Sequence, residues 1–95
     1  SQIIAIVEYT QPFVTYTLYR ENSYLQSLTG NGGSLRLSTP ATSGYYHIVA
    51  TYSEGGLSDS AELEGIRYDS GMLSLDDEQN WILTRRISIP ALCSR

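Results

Sequence analysis

Three places in this 95-residue sequence carry side chains of the kind that catalysis or metal binding uses. His47 is the only histidine, Cys93 the only cysteine, and LDDEQN (75–80) sets Asp76, Asp77 and Glu78 side by side. A general base must lie within hydrogen-bond reach of the proton it takes. His47 falls between Tyr46 and Ile48 in an alternating stretch, on the face away from the apolar residues, and reads as a solvent-facing strand histidine. A lone histidine with no Gly-x-Ser-x-Gly turn gives poor grounds for a nucleophile–base–acid set. Cys93 has no partner for an internal disulfide. A reactive thiol needs a positioned base, which a terminal stretch does not supply.

Metal chemistry fares no better. One His and one Cys fall short of a zinc ligand set. The three carboxylates are contiguous, without the Asp-x-Asp-x-Asp-Gly spacing that wraps calcium, so they read as a solvated acidic loop. GNGGS (30–34) has the glycines of a phosphate-cradling loop, but neither a lysine nor a helical pattern follows it, and Asn31-Gly32 is sufficient as a hairpin turn. The expectation is a protein with no catalytic residues, cofactor or metal. Tyrosine leaves one option open, since the chain has eight against one Phe and one Trp. Tyr19, Tyr24 and Tyr45 fall on outward positions or loops, where aromatic rings can stack on sugars. The competing reading is that they brace neighbouring strands.

Positioning any such residue falls to one small domain, since 95 residues with 41% hydrophobic content suffice for a single modest core. Formal net charge is −4, and all six basic residues are arginines, scattered along the chain. That distribution lacks the basic face a nucleic acid needs, and it disfavours an anionic membrane. The longest apolar run is Ile3–Val7, so membrane insertion is not expected. No basic-then-apolar leader opens the sequence, which reads as a mature or excised domain.

The hydrophobic period is two nearly throughout. QIIAIVEY (2–9) is apolar on both faces, as in a strand covered on each side. FVTYTLYRE (13–21) puts Val14, Tyr16 and Leu18 on one face. SYLQSL (23–28) and SLRLS (34–38) follow, the latter with Leu35 and Leu37 inward. SGYYHIVATYSE (43–54) aligns Tyr46, Ile48, Ala50 and Tyr52, and LSDSAELEGIRY (57–68) alternates through Leu57, Ala61 and Leu63. Six short strands separated by Gly, Pro, Asn and Ser clusters predict an all-β sandwich or barrel. Residues 69–79 read as an acidic hinge or loop. Residues 80–95 read as a possible extra strand through Trp81, Leu83 and Ile87, then a tail after Pro90.

The stretch from Tyr16 to Ile66 resembles the immunoglobulin-like repeats of large secreted and surface proteins of Bacteroides-type bacteria. The residues that carry it are Tyr16, Leu18, Tyr19 and Arg20, then Gly32, Ser34 and Leu35, then Ala41, Gly44, Tyr46, Ile48 and Ala50. The likeness spans roughly residues 3–68. It implies an immunoglobulin-like antiparallel β-sandwich lacking the inter-sheet disulfide. Leu18 stands where such domains carry their core tryptophan, and Ile48 where they carry the second cysteine. Tyr46 matches the tyrosine-corner position, which implies a hydroxyl reaching back to backbone near Pro40–Thr42. Gly44 suits the turn into that strand. A second, shorter likeness lies in DDEQNWILTRR, which is similar to the entry into the YD-repeat (Rhs-type) region of such proteins; after Arg85 the pattern is lost.

The expected organisation is a sandwich over 1–68, the hinge over 69–79 and the extra strand and tail over 80–95. Its expected core is Leu18, Leu35, Leu37, Tyr46, Ile48, Ala50 and Leu63. The expected function is a non-enzymatic spacer or docking module of a larger bacterial protein, secreted or at the cell surface, with neighbouring domains as partners. A carbohydrate-binding module using Tyr19, Tyr24 and Tyr45 is the alternative.

Overall fold

Alternating apolar residues need a second sheet to bury them, and two sheets pack face to face in the computed structural model of the chain. It describes residues 2–54, 57–62, 65–69 and 78–83. Eight strands and no helix occur among them: β1 (Gln2–Val7), β2 (Val14–Arg20), β3 (Ser23–Thr29), β4 (Leu35–Pro40), β5 (Gly44–Glu54), β6 (Leu57–Glu62), β7 (Ile66–Tyr68) and β8 (Glu78–Leu83). One sheet has the order β4-β1-β8. The other has the order β3-β2-β5-β6, with β7 also on β5.

The core lies where the period-two pattern puts it. Val14, Tyr16 and Leu18 of β2 and Tyr46, Ile48, Ala50 and Tyr52 of β5 are buried. They meet Ile3, Ala5 and Val7 of β1 and Leu37 of β4 in one cluster. Of the expected core, Leu35 is only half-buried, because it lies at the first residue of β4. Leu63 lies outside the described residues. Ile4, on the opposite face of β1, is also buried but does not belong to the central cluster.

Two departures from the sequence expectation concern strand boundaries. The single strand expected over 57–68 is two, β6 and β7, both paired with β5. Glu62 lies opposite Val49 and Ile66 opposite Tyr46, so the register shifts by one residue between them. Such a shift interrupts a ladder and changes which residues face inward. The acidic stretch expected as a hinge over 69–79 gives its last two residues to β8. That strand runs parallel to β1, from Gln2 opposite Glu78 to Val7 opposite Leu83. The other strand pairs among the described residues are antiparallel, as expected, and this one is the exception. A hairpin enforces antiparallel neighbours, but a longer connection from one sheet to the other leaves either direction open.

Tyr46 ties the start of β5 to the loop before it. Its hydroxyl donates to the Thr42 carbonyl at 2.6 Å and accepts from the Thr42 amide at 3.1 Å. Between the two sheets, the Gln26 Oε1 of β3 accepts the Ser38 amide of β4 at 3.0 Å. The fold thus closes by packing and side-chain bonds, with Ile48 in the central cluster.

Two substitutions test this account. Ile48→Ala should lower unfolding free energy by about 2–5 kcal/mol in denaturant titration, as expected for truncating a fully buried side chain. Tyr46→Phe keeps the ring and removes both Thr42 bonds. It should cost on the order of 1–3 kcal/mol, whereas no change would make the hydroxyl a bystander.

Candidate functional site

Outward residues of β2 and β5 that sit opposite one another must share the solvent face of the larger sheet. Tyr19 lies opposite His47 on β5 and opposite Tyr24 on β3. Tyr45 precedes His47 by two residues, and so shares its face. The rings form a row. Tyr19 and Tyr45 each stack on His47 with centroids 5.4 Å apart, at 20° and 22° between planes. Tyr24 meets Tyr19 edge-on at 6.5 Å. Offset-stacked and edge-to-face pairs of this kind are the favourable geometries for aromatic rings.

His47 has an oxygen close to each ring nitrogen, and only Nε2 makes a hydrogen bond in the structure. Nε2 lies 2.7 Å from the Glu21 carbonyl oxygen, so it donates there. Nδ1 lies 2.8 Å from Glu62 Oε1, an ion pair when the imidazole carries its second proton. The sequence expectation of a solvent-facing histidine is corrected: the side chain is 16% exposed, enclosed by Tyr19 and Tyr45. Alternation puts it on the outer face, but neighbouring rings from two strands cover it, which a one-strand pattern does not reveal.

Glu21 completes the arrangement from the β2–β3 turn. Its amide donates to the Tyr45 carbonyl at 2.8 Å, and its carboxylate Oε1 accepts the Tyr45 amide at 2.9 Å. The residue adopts a left-handed backbone, φ 52°, to make both contacts. At the other end of the row the hydroxyl end of Tyr45 lies over Gly65, where a Cβ would collide with it. The three tyrosines expected to stack on a ligand are therefore gathered on one face, and Tyr19 and Tyr45 each turn a ring face to His47. Tyr24 is the open one, at 62% exposed. Its hydroxyl is 3.1 Å from Ser27 Oγ.

A second aromatic group was not signalled by the alternation. Tyr9 and Phe13, in the β1–β2 loop, are 62% and 67% exposed and both left-handed, with φ of 57° and 69°. The loop between them is fixed. The buried Thr10 donates from its amide and its hydroxyl to the Gly33 carbonyl, at 2.9 and 2.5 Å, and its hydroxyl accepts the Asn31 amide at 3.2 Å. Gln11 donates its amide to the Tyr16 hydroxyl at 2.9 Å. The GNGGS segment thus serves as the anchor for this loop, in keeping with a structural turn. The sequence signal available was the pair of large aromatics flanking Thr-Gln-Pro, a place with no strand to bury them.

Among the described residues, no three His, Cys, Asp or Glu side chains come together to hold a metal ion. Asp76, Asp77 and Cys93 lie outside the described residues. Comparison with protein-family models, with curated proteins and with solved structures finds no match.

Gly65→Ala tests the row. The added methyl would meet the end of the Tyr45 ring and the Tyr46 carbonyl, so Tyr45 must shift from its contact with His47, costing on the order of 1–3 kcal/mol as overpacking does. The His47 ring protons should shift with it in NMR spectra, and an unchanged His47 environment would mean Tyr45 does not depend on Gly65.

Proposed function

We propose that this chain is an immunoglobulin-like β-sandwich module, a spacer or docking domain of a larger bacterial protein that is secreted or held at the cell surface. The observation that carries the reading is the strand order. β1 beside β4 in one sheet, with β3-β2-β5-β6 in the other, corresponds to the B–E and C′–C–F–G neighbours of immunoglobulin domains. The Tyr46–Thr42 bonds support it, since they fall at the tyrosine-corner position. On this reading the residues most suited to chemistry serve the architecture: His47 joins the β2–β3 turn to β6, and its ring fills the space between two tyrosines. The sequence likeness to repeats of Bacteroides-type surface proteins gives the setting, in which neighbouring domains are the partners.

A second reading, sugar binding, draws on rings that remain open. Tyr24 ends the row with most of its surface exposed, and Tyr9 and Phe13 stand on a loop held by several hydrogen bonds. Rigid exposed aromatics bind at low entropic cost.

Two measurements test these readings, the first for the extent of the module and the second for the choice between them. Under limited trypsin with intact-mass readout, the accumulating fragment of a spacer module should keep β8 and end at Arg85 or beyond. Early cutting at Arg67 with loss of 68–95 would remove β8 from the module. In titrations with neutral polysaccharides followed by tyrosine resonances, the spacer reading expects no shifts. Shifts abolished by Tyr24→Ala, or by Tyr9→Ala with Phe13→Ala, would establish the sugar-binding reading instead.

A further inference from the structure

We infer that the parallel pair of β1 and β8 is a mechanical clamp, through which the chain resists tension applied between its two ends. The inference deepens the structural reading above and rests on it.

The argument is one of direction. β1 and β8 run side by side in six-residue register, Gln2 opposite Glu78 at one end and Val7 opposite Leu83 at the other. Tension from the N-terminal side reaches the pair at Gln2. Tension from the C-terminal side reaches it at Leu83. The two points lie at opposite ends of the pair, so the force acts along the strands and loads their hydrogen bonds together, in shear. Were the same two strands antiparallel, both points would lie at one end, and the bonds would open in sequence. Parallel ladders are slightly the weaker kind at rest, so the resistance comes from geometry and not from bond strength.

β1 is also firmly seated. Its other edge is paired along its whole length with β4, from Gln2 opposite Pro40 to Val7 opposite Leu35. Ile3, Ala5 and Val7 are locked in the core, and Ile4 is buried on the reverse face. Sliding β1 would break two ladders and the core at once, so the step that yields is the slip of β8. The load passes from β1 directly to its neighbour, and the five-stranded sheet with its aromatic row lies off this path.

Single-molecule pulling on the full chain tests the clamp, with its direction as the variable. One handle is placed at the N-terminus and the other at Cys93, downstream of β8; this loads the pair in shear. The comparison replaces the first handle by Tyr9→Cys, at an exposed position just past Val7, so that both handles approach the same end and peel the pair apart. Phe13→Cys provides a second exposed site of the same kind, should the first variant unfold more easily in solution. Forced unfolding reads the barrier rather than the equilibrium stability, and the fold is the same in both arrangements. The expected result is an unfolding force severalfold higher in shear than in peeling, with the chain between β1 and β8 released in that one step. Equal forces in the two directions, or early low-force release of the segment from β8 onward, would overturn the clamp. If unfolding is still a single cooperative event, the structural-module reading stands without it. Extension with no cooperative event would bring down both.

Discussion

The strict alternation of β5 is the constraint on which most of this structure depends. Tyr46, Ile48, Ala50 and Tyr52 fill the space between the sheets, and the residues between them line the outer face. Because the period is two, a slip of one residue against β2 would drive His47 into the core and expel Ile48. The register with β2 therefore settles two things together, which rings meet outside and which apolar groups meet inside. β6 and β7 take their places from the same strand.

The abundance of tyrosine has a physical account in the sandwich. Tyr16 and Tyr46 are buried, yet each brings its hydroxyl to a loop backbone, at Gln11 and at Thr42 respectively. A phenylalanine would fill the same volume and leave those loops untied. Each such ring joins core to rim at opposite ends of the domain. This gives the fold cross-links of about 1 kcal/mol each, spread over several sites, where a disulfide would concentrate a few kcal/mol in one. Outside, Tyr19, Tyr24 and Tyr45 use the other property of the residue, an apolar body that tolerates water at its tip.

Much of this was legible in the sequence. The two-residue period located β1 to β5 and the inward faces of β2 and β5, because a half-buried strand writes its faces directly into residue order. The Tyr46 hydroxyl bonds were legible as well, through the resemblance that the flanking residues carried. What escaped depends on contacts between distant segments. The break between β6 and β7 leaves no proline or turn cluster at Leu63–Gly65 to read. The enclosure of His47 needs rings from β2 and from its own strand together. The direction of β8 follows from where it docks, and an alternating stretch reads the same in either direction. Tyr9 and Phe13 were visible as residues, but their left-handed backbones are imposed by the Thr10 anchor to the turn at 30–33.

The contact between Gln26 and Ser38 bears on how copies or neighbours of such a domain coexist. β4 is the outer strand of its sheet, and its free side would offer amides to any passing extended segment. At Ser38 the outward amide is already engaged by Gln26, and two residues on, Pro40 has none to give. An extended segment approaching that border would find two successive outward positions, Ser38 and Pro40, with no amide to offer it, so the ladder it could form there is cut short.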